Sequence, residues 1–509
     1  MNIIRNSGNK IVLAVEQLFN KIFGNQLNPF YHLGSLTFYF FWIVLVSGIY
    51  VFIAFETNLA GAYNSVEYMT NEQWWLAGIM RSLHRYASDA AIITIFLHMV
   101  REFCRDHYRG VRWFSWFTGV PTLWMVVMLG ISGYWLVWDM LAQYIAITTA
   151  ELIDWIPMVP GSMVFNFLEG NVSDRFFTLM AFLHLLGLPV ALVFLLWTHV
   201  SRISQIDFYP PRLLAWGSLI ALILLSLIKP AVSHGPAQLD HSPTVLHLDW
   251  FYLNIYPLVD ILGAGWAWGI ASGVTLFLLA MPWLPPRGEK PRAEVNLEHC
   301  SGCGQCAQDC PYGAITMQRR TDGRKFEFES SMEDSLCTSC GICTGSCASA
   351  NPFRMAKEVL KAGIEMPWYG AEDLRRITQE KLSALTTQPR VIVYGCENSL
   401  DFSVLDGLGC AVQVVPCSGM LPPSLLDFAL KRGADGVVVT GCREGDCFHR
   451  FGNRWTIARL DGTREPHLFA RTDQRKIVRF WGGRSESQEM QALVRSFRDG
   501  IKKEGLPHA

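Results

Sequence analysis

Charge is scarce in this chain of 509 residues: 17% of it is Asp, Glu, Lys or Arg against 50% hydrophobic, and the two signs nearly cancel at a net −1. That net charge by itself says nothing about nucleic acid; no nucleic-acid partner is expected. Cysteine is nearly missing from the first 285 residues, where Cys104 stands alone; the other thirteen of the fourteen follow later. A cleavable signal pattern is missing too. The start through Lys10 is polar and has no short apolar region ahead of a cleavage site, so no cleaved leader is expected.

The hydrophobic residues that replace charge are gathered into runs. They fill roughly residues 33–55, 78–100, 114–138, 176–200, 213–232 and 253–283, each about the length of a membrane span. After Pro285-Pro286 the chain turns polar, and at this length more than one domain is expected. Arg5, Lys10 and Lys21, then Arg101, Arg105, Arg109 and Arg112, then Arg202 and Arg212, then Arg287, Lys290 and Arg292 all fall on one side of these runs. The other side carries Glu56, Glu67, Glu72, Glu151, Asp154, Glu169 and Asp174 before its first base, Arg175. Basic loops stay in the cytoplasm. The expected topology is six spans in the inner (cytoplasmic) membrane, with both termini and the polar half cytoplasmic. In that reducing compartment the thirteen cysteines read as metal ligands rather than disulfides.

Four histidines lie inside apolar runs: His84 with His98, and His184 with His199. An ionisable ring at membrane depth is a functional residue by default. Fourteen residues of helix place His84 and His98 about 21 Å apart on nearly one face; the fifteen between His184 and His199 give a similar separation. Two such helices facing one another offer two stacked imidazole pairs, a ligand set that suits low-spin heme b. A lone histidine of this kind is ordinarily a core residue bonded to a backbone carbonyl; two matched pairs are not. Gly34 and Gly48, and Gly119 and Gly133, repeat the fourteen-residue spacing. A macrocycle wedged between helices needs positions without side chains at its ligands' levels, although close helix packing also uses glycine.

Arg81-Ser82-Leu83-His84, Phe96-Leu97-His98 with Arg101 after it, the four glycines, Gly133-Tyr134 leading to Trp138, and Ile156-Pro157 resemble the cytochrome b of quinol-oxidising bc and bf complexes. The histidine separations are similar to those of its shorter, chloroplast-type branch. The resemblance implies that His84 and His184 hold the heme near the outer face and His98 and His199 the one near the cytoplasm. Arg81 and Arg101 become propionate partners, and a homodimer through this half is implied. The last two spans look like the start of the family's subunit IV. Leu248-Asp249-Trp250-Phe251 stands where the family has Pro-Glu-Trp-Tyr, which lines its outer quinol site. Asp249 is thus the candidate quinol proton acceptor, on a shorter arm than Glu, and Trp250 a candidate quinone-site residue; an inherited loop without catalysis is the other reading. His32 stands where the bf branch attaches a third heme through cysteine, so no covalent heme is expected.

Cys300, Cys303, Cys306 and Cys310-Pro311 read C-x2-C-x2-C-x3-C-P, and Cys337, Cys340, Cys343 and Cys347 repeat the spacing, with Pro352 following. Three closely spaced thiolates grip a cubane and the fourth comes from the other run. Cys300, Cys303, Cys306 and Cys347 are therefore assigned to one 4Fe-4S cluster, and Cys337, Cys340, Cys343 and Cys310 to a second, as in a bacterial-type two-cluster ferredoxin. Cysteine sites for zinc come in two pairs rather than runs of four. The charged insert between the runs reads as a solvated hairpin.

Residues 353–389 are charged and helix-forming, a connector. Beyond them come β-branched runs at Val391–Tyr394, Val412–Val415 and Val437–Thr440, with a helix over Leu425–Lys431 and Ser424 as its N-cap. Cys396, Cys417 and Cys442 each follow one of these strands, with Cys447 five residues later; the carboxyl ends of a parallel sheet are where sites form. Gly395-Cys396, Pro416-Cys417-Ser418-Gly419, Gly433-Ala434-Asp435-Gly436, Gly441-Cys442, Gly445-Asp446-Cys447 and Gly452-Asn453 resemble the delta subunit of methyl-viologen-reducing hydrogenase. That family carries a 2Fe-2S cluster and links a hydrogenase or formate dehydrogenase to the flavin subunit of heterodisulfide reductase. Ser399 replaces one expected cysteine, which leaves Cys396, Cys417, Cys442 and Cys447 for one 2Fe-2S cluster or, with the cluster lost, a docking domain. Cys104 and Cys410 read as buried thiols and His449 as structural.

The expected protein is multi-domain: an all-α six-span bundle made of a di-heme part (1–208) and two further helices (209–286), an α+β two-cluster ferredoxin (287–352), the connector, and a small α/β iron-sulfur domain with a C-terminal helix (390–509). The expected function is that of an electron-transfer subunit in a quinone-linked oxidoreductase complex, exchanging electrons between quinone and a cytoplasmic heterodisulfide-reductase-like flavoprotein or dehydrogenase. No flavin or nicotinamide motif is evident, so such a partner supplies it. Two other readings stay open: an anchor and docking module without through-chain transfer, and a bc-type quinol oxidase arm with an external high-potential acceptor.

Overall fold

A computed structural model describes residues 2–157, 163–164, 173–202, 207–240, 245–284, 291–348 and 362–504. Glu169, Pro285-Pro286, Arg287, Lys290, Pro352 and the first part of the connector, all used above, lie outside the described residues. The chain forms two compact units, one covering Met1–Arg202 and Asp207–Pro286, the other Arg287–Ala509.

The described part of the first unit is helical: α1 (Asn2–Phe23), α2 (Leu33–Ala54), α3 (Ala62–Asn71), α4 (Ile79–Cys104), α5 (Trp113–Val137), α6 (Met140–Asp154), α7 (Asp174–Phe182), α8 (Leu188–Val200), α9 (Arg212–Ile228), α10 (Tyr256–Leu262) and α11 (Ala264–Ala280). Among the described residues four stretches are long and apolar enough to cross a membrane: Leu33–Ala54, Gly110–Val137, Phe177–Val200 and Ala264–Trp283. The run at 213–232 gives a shorter apolar helix, α9. The run at 78–100 gives α4, which is 26 residues long but carries Arg81, Arg85, Asp89 and Arg101. The run at 253–283 is not one span. Gly263, at φ +84°, turns the backbone left-handed and ends the first helix, so the long apolar stretch begins only at Ala264.

Helix α2 packs along α4, and α5 along α8. Small and hydroxyl side chains let the first pair approach closely: Thr37 Oγ1 meets Thr94 Oγ1 at 2.9 Å. Helix α1 is amphipathic. Its fully buried Glu16 pairs with Arg101 and Arg105 of the α4 end, while Ile4, Ile11, Leu18 and Ile22 stay exposed.

The second unit holds two antiparallel pairs, β1 (Glu294–Val295) with β4 (Ile364–Glu365) and β2 (Ile315–Arg319) with β3 (Phe328–Met332). It also holds a parallel four-stranded sheet, in the order β6 (Ala411–Val415), β5 (Val391–Cys396), β7 (Gly436–Gly441), β8 (Ile477–Trp481). The central strands read as unbroken apolar runs because both faces are covered; Val391, Ile392, Val393 and Tyr394 are all fully buried. The helices are α12 (Gln305–Asp309), α13 (Ile342–Ser346), α14 (Ala371–Ser383), α15 (Pro423–Lys431), α16 (Gly452–Leu460) and α17 (Ser487–Glu504). Helix α15 starts at Pro423 with Pro422 as its cap, so Ser424 is not the N-cap. Proline's fixed φ and missing N–H suit the first helical position, and they begin the helix before the serine.

Helix α14, from the stretch expected to be a connector, buries Ala371, Leu374, Thr378 and Leu382 and packs on β6 and α15. One apolar core runs from Cys306, Ile315, Cys343 and Cys347 through Leu374 to Tyr394, Leu425 and Val437. The two cysteine runs and the parallel sheet therefore share a single interior.

Candidate metal centres

Each of the four histidines faces one of the four glycines across a helix pair. A Cβ on Gly48 would lie 2.8 Å from the His84 ring, on Gly133 3.0 Å from His184, on Gly119 3.2 Å from His199, and on Gly34 4.0 Å from His98. The glycines of α2 serve the histidines of α4, and those of α5 serve the helix of α7 and α8. At Gly48 the missing side chain uncovers the carbonyl four residues earlier. His84 Nδ1 donates to Val44 O at 2.9 Å and lies 3.3 Å from Ser47 Oγ. The His184 ring bonds the Leu129 backbone, and its Nδ1 stands 3.0 Å from Ser132 Oγ. The His199 ring bonds the Ser115 backbone, and its Nδ1 stands 3.3 Å from Thr118 Oγ1. Such a bond on one ring nitrogen fixes the tautomer and leaves the other nitrogen for a metal. Sequence reasoning missed these hydroxyls, although Ser47-Gly48, Thr118-Gly119 and Ser132-Gly133 repeat one dipeptide pattern.

The rings of His84 and His184 come together, with centroids 6.4 Å apart. That separation accommodates one metal ion at about 2 Å from each nitrogen. His98 and His199 lie within electrostatic reach of each other at the other level. The extra residue between His184 and His199 is taken up by a five-residue π turn at Leu183–Gly187. A π turn inserts one residue without changing the face that the flanking turns present, so fifteen residues here match fourteen in α4.

The charged candidates have protein partners. Arg81 bonds Thr70 and Ser233 (2.7 Å), with Glu67 3.7 Å away. Arg101 lies 2.9 Å from Glu16 and 3.1 Å from Glu102. Asp249 is not open to solvent: Arg85, the residue after His84, reaches Oδ2 at 3.0 Å, and Tyr134 donates to the same oxygen at 2.5 Å. Arg85 also pairs with Asp89. Trp250, by contrast, is 72% exposed.

In the second unit Cys310, Cys337, Cys340 and Cys343 line one cavity. Cys300, Cys303, Cys306 and Cys347 line another. Each set joins three thiols of one run to the last of the other. Gly304 and Gly341, at φ +77° and +74°, start the short helices α12 and α13 between the second and third cysteine of each run, a turn that a side chain would strain. Burial pushes the Cys306 thiol up to about 11 and Cys340 up to about 12. Thiols this hard to ionise become thiolates when a metal takes the proton's place. Cys303 is exposed, and most of its fellows are buried.

Cys396, Cys417, Cys442 and Cys447 meet at the carboxyl end of the sheet, with Cys396 Sγ 3.9 Å from Cys442 Sγ. Hydrogen bonds from Cys417 and Cys442 hold Cys396 and Cys447 well below the usual thiol range and push the two donors above it. Ser399 is turned to the backbone, donating to Cys396 O at 2.7 Å. Among the described residues no group of three or more His, Cys, Asp or Glu stands at the spacing of a single metal ion. Cys340 and Cys417 share an apolar cluster with Ile342, against which Tyr312 and Trp455 pack. Tyr312 Oη lies 3.2 Å from His449 Nδ1, so this histidine bridges the ferredoxin-like part and the sheet.

Three family models match in chain order. Cytochrome b/b6/petB covers residues 18–207, the 4Fe-4S dicluster domain 299–351, and the delta subunit of methyl-viologen-reducing hydrogenase 409–505. The last range holds Cys417, Cys442 and Cys447 and leaves Cys396 outside. The cytochrome b6 of Gracilaria tenuistipitata var. liui is 30% identical over 200 residues, covering 38% of this chain and 91% of the relative. The menaquinol:cytochrome c reductase cytochrome b subunit of Bacillus subtilis (strain 168) is 29% identical over 190 residues, covering 35% and 84%. A solved chain titled "Hyperthermophilic respiratory Complex III" overlaps with a TM-score of 0.43 at 20% identity, over 50% of this chain and 75% of that one.

Proposed function

Because the chain belongs to the cytochrome b/b6 family through residues 18–207, we propose that this membrane electron-transfer subunit exchanges electrons between the quinone pool and a cytoplasmic redox partner. His84 with His184 and His98 with His199 would hold two b hemes. Two 4Fe-4S clusters would be held by Cys300, Cys303, Cys306 and Cys347 and by Cys310, Cys337, Cys340 and Cys343. Cys396, Cys417, Cys442 and Cys447 would hold a 2Fe-2S cluster. Each of these groups, when bound, accepts and releases single electrons. The observation that carries the reading is that glycine-backed imidazole pairs and two crossed four-cysteine cavities lie on one chain.

The chain's own residues set the conditions. The Nδ1 bonds hold each described imidazole in one tautomer, and the bilayer-spanning helices keep water from it. Asp249 would accept one of the two protons that quinol gives up on oxidation, by leaving Arg85 or Tyr134, while the second proton passes to water at the membrane surface and the two electrons to the chain's redox groups. Cys303, the exposed thiol, marks the cluster open to an outside donor or acceptor, and the packing of Cys340 against Cys417 makes the other cluster internal. The one-sided Lys and Arg support six spans with the iron-sulfur unit in the cytoplasm. There the likeness to the delta subunit supports a flavin-bearing partner related to heterodisulfide reductase, or a dehydrogenase that uses one.

The test is a redox titration of the purified full chain, followed by heme absorbance and by electron paramagnetic resonance. Hemes that become reduced when electrons enter through the iron-sulfur unit bear the reading out. A preparation without b-heme absorbance, or hemes that never respond to reduced clusters, would leave only an anchor with a docking module.

A further inference from the structure

One buried guanidinium joins three loops that each present a thiol to a different centre. Arg459, on α16, is fully buried. Its Nη2 donates to Asp309 Oδ2 and to Ser346 Oγ, both at 2.6 Å, and its Nη1 donates to Gly419 O at 2.8 Å. Asp309 immediately precedes Cys310, Ser346 immediately precedes Cys347, and Gly419 lies two residues after Cys417. Ser346 Oγ also donates to Asp309 Oδ2 at 2.7 Å. Around this core Arg464 pairs with the other oxygen of Asp309, and Trp455 Nε1 donates to Asp309 O at 3.2 Å.

The charges do not cancel. Asp309 supplies one negative charge and Arg459 and Arg464 one positive each, so the cluster retains a net positive charge; Arg464 is partly exposed, while Arg459 is fully buried and within electrostatic reach of Cys417. Coulombic interactions are strongest where water is excluded. A centre that gains an electron becomes more negative, so a fixed cation beside it favours the reduced form. A buried arginine costs desolvation even with one charged and two polar partners, yet the fold keeps it where a packed apolar side chain would serve stability as well.

Resting on the assignment of iron-sulfur centres made above, we propose that Arg459 is a positioning residue. It holds the loops of Cys310, Cys347 and Cys417 in one fixed arrangement, and its charge favours the reduced form of the centre at Cys417.

The experiment uses the full chain purified from membranes, as wild type, Arg459→Met, Arg459→Lys and Ser346→Ala. The readouts are iron content, midpoint potentials and the spin–spin splitting between reduced centres. Arg459→Met is expected to keep its iron but to lower the reduced-to-oxidised ratio of the Cys417 centre about tenfold at fixed potential, 59 mV for one electron. Arg459→Lys restores that ratio, because the charge returns, but leaves the splitting altered, because one ammonium cannot span three loops. Ser346→Ala removes one strut and changes the splitting without moving the potential. Unchanged potential and splitting in Arg459→Met overturn the proposal. If that variant does not accumulate, a wild-type splitting in both Arg459→Lys and Ser346→Ala overturns it instead. Iron-sulfur signals missing from the wild type overturn the underlying assignment, a result distinct from the other two.

Discussion

At Gly48 the volume that a side chain would fill is taken by an imidazole. The His84 ring stands 2.8 Å from where a Cβ would be, and nothing lies within 4 Å of the same point at Gly217 in α9. Gly48→Val therefore forces the ring off its Val44 carbonyl, whereas Gly217→Val finds open space. The valine at position 48 is expected to remove roughly half of the b-heme absorbance, one ligand pair of two, because a ligand that loses its outer hydrogen bond loses orientation. The valine at 217 keeps it. Reduced-minus-oxidised difference spectra of the two variants, normalised to protein, make the comparison; equal spectra would refute the coupling of glycine to imidazole. The same scale explains why Arg101 was hard to read from sequence: its buried partner Glu16 lies 85 residues away, on a helix whose docking no local pattern announces.

Among the elements, the π turn at Leu183–Gly187 gives the sharpest test. Deleting the exposed Leu186 leaves fourteen residues between the histidines and a regular helix, with the flanking faces unmoved. Inserting an alanine after Leu186 rotates His184 by about 100° relative to His199. The deletion is expected to keep both hemes and the insertion to lose one, as read by pyridine hemochrome quantities. Helices, strands and the crossed cysteine sets were legible where the pattern is local: the His and Cys spacings, and the apolar strands at 391, 412 and 437. Long-range choices were not. Strand β8, Ile477–Trp481, is a short apolar run broken by Arg479 and half-buried throughout, placed by its parallel pairing with β7. The break at Gly263 depends on a positive φ that apolar composition hides, and α14 reads as a charged connector in sequence because only one of its faces is buried. The hydroxyl partners of the imidazoles belong to other helices and became visible only in the packed bundle.

For the molecule as a whole, the iron-sulfur unit has one interior in which Cys306, Cys343 and Cys347 pack in a common cluster with Leu421, Leu425 and Leu426. Burying each such side chain contributes about 1.5–3 kcal/mol, so losing even four rivals the entire stability of a domain, about 5–15 kcal/mol. A chain ending at residue 385 is therefore expected to retain its b hemes and to lose its 4Fe-4S signals, although every ferredoxin cysteine is still present. Iron and heme per chain, measured on the same preparation, provide an internal control; full 4Fe-4S occupancy in the shortened chain would show that the shared interior is dispensable. That interior also restricts how such a protein can be rebuilt. Grafting in a ferredoxin of different potential would require its underside to be recut to fit the leucines of the sheet's helix, so the parts of this chain cannot be traded as cassettes even though their motifs are written one after another.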